Sequence, residues 1–143
     1  MQIAGPHGRR HVALADFVQG VFETALKPNE VLAAIRIPKL GVEARCGFAK
    51  ICRKTGEYAE AIGAAAVAPK AGLFRLVAGA GSARPIVFDD PGELLTSGDP
   101  LDTEGFDLDA AQAALTAAGL EDDPYALRLH AVAMKRALAQ AVD

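Results

Sequence analysis

The chain has no tryptophan, two methionines and two cysteines in 143 residues, and aromatic residues make up only 6% of it. Half of the residues are apolar, at 51%, but they are mostly Ala, Val and Leu. The predicted core is therefore one of small side chains packed closely. Cys46 and Cys52 have neither CxxC spacing nor a histidine in a ligand pattern beside them. That argues against a structural zinc or iron–sulfur site and leaves two free thiols in a reducing compartment. No apolar run reaches the ~18 residues that a membrane span needs. The start, MQIAGPHG, has no basic stretch leading into an apolar one, so no signal peptide is expected and the cytoplasm is the expected location. Basic excess is also lacking: the net charge is −3, which argues against a nucleic-acid partner. There is no GxSxG, no Walker loop and no HExxH. The Gly-Ala-Gly of residues 79–81 is not followed by the helix of a dinucleotide fingerprint. His7, His11 and His130 have no nucleophile in pattern with them and read as surface or packing residues.

What is present begins with charge placed unevenly. Arg45, Lys50, Arg53 and Lys54 fall within ten residues, whereas 89–123 is mainly acidic. Opposed patches of this kind suit a partner or an anionic ligand on one face, or two solvated faces. The stretch FAKICRKTGEYAEAIGAAAV (48–67) joins a basic strand, the turn Thr55-Gly56-Glu57, the ring of Tyr58 and an uncharged run of small residues. It suits one wall of a cofactor pocket, and equally a hairpin with a basic outer face.

The local pattern is strands first, then helices. Residues 2–4 and 9–14 read as strands about Gly5-Pro6-His7-Gly8, and Asp16 reads as a cap for a helical turn over Phe17 and Val18. Residues 26–30 form a turn, and 31–37 a strand stopped by Pro38. Residues 45–54 alternate, with Phe48, Lys50, Cys52 and Lys54 on one face and Ala49, Ile51 and Arg53 on the other. Neither face is cleanly apolar, so something outside the sheet is expected to cover one of them. Residues 61–68 and 73–81 make a hairpin through Pro69-Lys70-Ala71-Gly72, with a short strand at 85–88. Gly79 and Gly81 leave room for close approach by a backbone or a ligand.

Beyond residue 90 the period is helical. Pro91 opens a short helix, Asp107 caps a second that stops at Gly119, and Asp123-Pro124 opens the last. Leu127, Ala131, Met134, Leu138 and Ala141 form the apolar stripe of that last helix, and Arg128, Lys135 and Arg136 face out. The fold class is α+β, an antiparallel sheet with helices on one face.

Four segments in order carry a family resemblance. They are GRRHVALADFVQGVFETALKPNEVLAAIRIP (8–38), FAKICRKTGEYAEAIGAAA (48–66), LVAGAGSARPIVF (76–88) and PYALRLHAVAMKRAL (124–138). Together they resemble the second half of the medium, FAD-binding subunit of the molybdenum hydroxylases, the carbon monoxide dehydrogenase and xanthine dehydrogenase family. The resemblance implies a tail of the FAD-binding domain over 1–38. Over 45–143 it implies the family's C-terminal domain, a three-stranded antiparallel sheet with about three helices. It implies an oxidoreductase role within a complex, where electrons from a molybdenum cofactor in the large subunit cross [2Fe–2S] clusters in the small subunit. They then reach FAD and leave to an external acceptor.

Leu26 matches the apolar residue of the family's TxLxP turn, near the isoalloxazine. Lys50 matches the Lys of its FxKxxR strand. Glu57 and Tyr58 fill the Asp and aromatic positions of its RxGD-aromatic-A turn. The family's phosphate-cradling Ala-Gly-Gly-Thr loop is not in this sequence, so the FAD site in this chain is expected to be incomplete. A separate chain carrying the N-terminal FAD-binding half is then an expected partner, beside the large and small subunits. Glu57 stands where Asp is usual, and Ala126-Leu127 where an Arg pair is usual. The alternative is a flavin-free packing module that keeps only the C-terminal domain.

Overall fold

The computed structural model describes residues 1–81, 84–120 and 123–143. Two compact units are present, one of residues 1–40 with Arg84 and one of residues 41–81 and 85–143.

In the first unit, β1 (Gln2–Gly5) lies between β2 (Gly8–His11) and β5 (Val31–Ala34), antiparallel to both. Pro6 presets the backbone of the β1–β2 turn, and Gly8 closes it at φ +113°, where a side chain would be strained. Both outer strands stop where β1 runs out. The Val12 amide bonds the Met1 carbonyl at 3.0 Å, so strand 9–14 ends as a ladder at His11. The strand expected over 31–37 pairs only to Ala34, opposite Gln2, for the same reason. Helix α1 (Leu14–Phe17) starts after Ala13, without a side-chain cap. Asp16 therefore lies inside the helix rather than capping it. Strands β3 (Val18–Gly20) and β4 (Glu23–Thr24) form a small hairpin.

The second unit is a four-stranded antiparallel sheet in the order β6 (Arg45–Ile51), β7 (Ala61–Ala68), β8 (Leu73–Gly79), β9 (Ile86–Phe88). Three long strands make up most of it, and the short β9 extends one edge. Pro69–Ala71 forms a 3₁₀ turn between β7 and β8, closed by Gly72 at φ +66°.

Helix α2 (Leu108–Ala117) is capped by Asp107, whose carboxylate accepts the Asp109 and Ala110 amides at 2.9 Å, and it ends at Gly119, φ +91°. Ala118 is its exposed C-cap. Helix α3 (Pro124–Val142) is capped by Asp123, which accepts the Tyr125 and Ala126 amides. The expected stripe is buried: Leu127, Ala131, Met134, Leu138 and Ala141 join Leu76, Leu94, Leu115, Phe74, Phe88 and Phe106 in one core.

Helix α3 lies almost on the sheet backbone. A Cβ built on Gly47 would fall 1.9 Å from the Ala137 carbonyl oxygen, and one on Gly63 would fall 2.1 Å from that of Ala133. These glycines share a face with Ala49, Ala61, Ala65 and Val67, all of which are buried. The helix is thus the cover that strand 45–54 was expected to need. At Gly79 and Gly81, read as leaving room for a backbone or a ligand, no backbone among the described residues comes close: a Cβ would meet the side chains of Ile62 at the first and of Leu120 and His130 at the second. His130 is a packing residue at 3% exposure, with Nδ1 2.8 Å from the Ala126 carbonyl and Nε2 without a partner among the described residues. His7 and His11 are exposed. Among the described residues no helix is long and apolar enough to cross a membrane, and no group of metal-ligating side chains is found.

Candidate flavin wall

The sheet of the second unit has two unlike faces, because side chains alternate along a strand. The helix takes the face of glycine and alanine. Along the other face, the register aligns Phe48, Ala64, Val77 and Val87 in one row across all four strands. Phe48 is 57% exposed and Val87 45% exposed, so the ends of this row are open. The next row holds Lys50, Ile62 and Gly79. The result is an apolar plate with a cation at its border.

The loop at the end of β6 adds a ring and a carboxylate. The Ile51–Ala61 pair closes the ladder, and the Glu60 amide bonds the Ile51 carbonyl at 2.8 Å. Between them the chain turns at Lys54–Glu57, where the Glu57 amide reaches the Lys54 carbonyl and Gly56 takes φ +92°. Lys50 Nζ donates to the Glu57 carbonyl oxygen at 2.7 Å, tying strand to turn. An ammonium carries three donors, so two remain for other acceptors. Arg53 pairs with Glu60 at 3.2 Å across the base of the loop. Tyr58 is 99% exposed, and the Glu57 carboxylate makes no hydrogen bond or ion pair among the described residues.

Lys50, Glu57 and Tyr58 therefore come together at one edge of the plate. Cys52 and Lys54, expected to continue the strand face, lie past its end in the loop. Leu26 belongs to the first unit, half-buried after β4, with its amide 3.5 Å from Thr24 Oγ1. The apolar row was not named as a site from sequence. Its signal was present in β6, where Phe48 and Lys50 share a face that excludes Ala49.

The first unit has its own charged centre. Arg10 grips Glu30 through Nε at 2.9 Å and Nη2 at 2.8 Å, and Nη2 also reaches the Ala25 carbonyl. The guanidinium, with help from the Lys27 amide, holds the Glu30 carboxyl down at about 2, and the carboxylate raises the pKa of Arg10 in return. In the second unit, the fork of Arg75 on Asp89 likewise lowers the aspartate, with Nε–Oδ1 at 2.6 Å.

The fold is similar to that of carbon monoxide dehydrogenase chains. The reconstituted CO dehydrogenase from Oligotropha carboxidovorans superposes with a TM-score of 0.75 at 27% identity, over 99% of this chain and 51% of that one. Quinoline 2-oxidoreductase from Pseudomonas putida 86 superposes at 0.66 and 25% identity, again over 51% of its chain. In sequence, this chain is homologous to the carbon monoxide dehydrogenase medium chain. It is 32% identical to that of Afipia carboxidovorans over 148 aligned positions, 98% of this chain and 51% of the relative. It is 40% identical to that of Hydrogenophaga pseudoflava over 70 residues. No family model matches. The chain spans about half the length of the Afipia relative.

Proposed function

We propose that this chain is part of the FAD-binding subunit of a molybdenum hydroxylase complex, in which residues 1–38 belong to the FAD-binding domain and 45–143 form the C-terminal domain. The supporting observation is the homology over 98% of the chain, with the Lys50–Glu57 tie at the edge of the apolar plate. A planar heteroaromatic ring suits this surface. Phe48, Val77 and Val87 would offer apolar contact, the spare donors of Lys50 would serve a polar edge, and Tyr58 would shield the ring from water. When bound, FAD would supply the electron-transfer chemistry linking the iron–sulfur clusters of a small subunit and a molybdenum-cofactor large subunit to an external acceptor. The residues of this chain hold and orient. Lys50 would stabilise negative charge at the ring edge, while Glu57 fixes Lys50 through its backbone carbonyl and leaves its own carboxylate toward solvent.

The residues fit a ring better than they fit a whole dinucleotide, since the Ala-Gly-Gly-Thr phosphate loop is not among them. On this reading the loop belongs to the N-terminal half of the subunit, whether that half is on a separate chain or the same one. The purified chain is mixed with that half from a related medium subunit, and FAD uptake is followed by visible absorbance. Flavin retained by the mixture, and reduced retention with Lys50→Met, is the expected result. Stable docking of the two halves with no flavin uptake would instead favour a flavin-free packing module.

A further inference from the structure

Apart from the plate, the first unit contains a cleft of about 290 Å³ between the turns at residues 5–8 and 27–30. Its walls include His7, Arg9, Arg10, Lys27, Asn29 and Glu30. The charges divide into a spent pair and a free pair. Glu30 is the cleft's one carboxylate, and both its oxygens are taken: Oε1 by Arg10 Nε, Oε2 by Arg10 Nη2 and the Lys27 amide at 2.7 Å. Arg10 and Glu30 cancel. Arg9 and Lys27 have no carboxylate within ion-pair distance among the described residues, and both are exposed. A chain of net charge −3 thus presents two cations outside ion-pair distance of any carboxylate among the described residues, and an imidazole, on one small concavity.

The turns that carry the cations are tied to one another. The Glu30 side chain packs against Gly5 so closely that a Cβ there would lie 2.9 Å from its Cγ. Arg10 links β2 to the Ala25 carbonyl and to Glu30, and the Glu30 amide closes its turn on the Lys27 carbonyl at 3.0 Å. Asn29 is held at φ +67°, an uncommon setting for a non-glycine residue. These bonds fix the backbone from which Arg9 and Lys27 project, so the ordering needed to capture an anion is confined to the two side chains.

We infer that this cleft binds a phosphate group. Arg9 supplies a planar fork and Lys27 a point charge, the two usual partners of phosphate oxygens. The volume is at the lower end of the ~300–1,000 Å³ typical of small-molecule clefts, which suits free phosphate or the end of a phosphate monoester rather than a dinucleotide. This inference does not depend on the flavin reading.

The test is a titration of the whole chain, ¹⁵N-labelled, with inorganic phosphate and with glycerol phosphate, against sodium chloride at matched ionic strength. Saturable shifts confined to amides of residues 5–10 and 27–30 are expected with phosphate and not with chloride. The double variant Arg9→Gln/Lys27→Gln, its fold checked by circular dichroism, is expected to weaken binding at least about tenfold. Lys70→Gln in the second unit is expected to leave it unchanged. Tighter binding of the ester assigns a phosphorylated small molecule; tighter binding of inorganic phosphate assigns the free ion. Absence of saturation, equal shifts with chloride, or unchanged affinity in the folded double variant overturns the inference.

Discussion

In residues 1–40 the tightest linkage is ionic: one guanidinium gathers a carboxylate and a carbonyl from the turn opposite its strand. In the second unit the tightest linkage is steric, two glycines whose missing side chains let α3 rest on the sheet. The first kind of contact depends on pH and salt and tolerates small shifts, since side chains can follow one another. The second has no flexible partner, because backbone meets backbone. The difference separates a part whose surface is adjustable, with strands as short as β4 and exposed along β5, from a part that holds one face rigid so that the opposite face can present a plate.

The largest expected effect attacks the steric side. Gly63→Ala puts a methyl into the Ala133 carbonyl, and only movement of α3 or of β7 relieves it. Overpacking of this kind costs about 3 kcal/mol where the backbone must move. Urea unfolding is expected to show that loss in the second unit, with the amides of β1 and β2 unchanged. An equal loss in both units would remove the contrast between them.

The next effect attacks the ionic side. Glu30 has a folded pKa held near 2 against an ordinary value of 4.5. A carboxylate with a depressed pKa stabilises the fold above its unfolded pKa, and that contribution is lost as pH falls through the folded value. Hydrogen exchange followed from about pH 5 to about pH 2 is therefore expected to show β1, β2 and β5 losing protection before β7 and α3. Glu30→Gln is expected to remove the pH dependence of that opening. Simultaneous loss in both units would show that Arg10–Glu30 is not what distinguishes the first.

A smaller effect tests the loop of the plate. Lys50→Met keeps the length of the side chain and removes its bond to the Glu57 carbonyl. A hydrogen bond of this sort contributes about 0.5–1.5 kcal/mol net. The expected result is faster amide exchange over residues 52–60 with the β6–β7 ladder intact. Loss of the ladder itself would mean that the lysine supports the strand rather than the turn.

What could be read from residues alone follows the same division. Caps and turns are local chemistry, so Asp107, Asp123 and the Pro69–Gly72 turn stood out before any tertiary contact was known. The stripe of α3 was legible because its period is helical and its residues apolar. Small residues were harder. Gly79 and Gly81 drew notice as a pair, yet the close approach belongs to Gly47 and Gly63, which look ordinary in their strands and matter only because α3 crosses there. Strand ends were also out of reach, since 31–37 stops at Ala34 for lack of a partner beyond Gln2. Of the site, the grouping of Lys50, Glu57 and Tyr58 followed from one strand and its turn. The apolar row beside them needed the register of four strands, which no single segment encodes.

The smallest expected change in stability is the most informative for function. Tyr58 is almost wholly solvated, so Tyr58→Ala is expected to move stability by less than about 0.5 kcal/mol, as for other surface positions away from special contacts. An aromatic residue left in water on a turn, beside a tethered lysine, has little to do for the fold. If the ring shields a bound flavin, the same change in a reconstituted subunit alters the rate of electron transfer to the acceptor while the melting temperature stays fixed. Gly63→Ala is expected to do the reverse, lowering the melting temperature while the plate, where formed, reacts as before. A Tyr58→Ala protein that loses stability and keeps its acceptor kinetics would make the ring a cap of the hairpin, and the plate would then need another explanation for its open face.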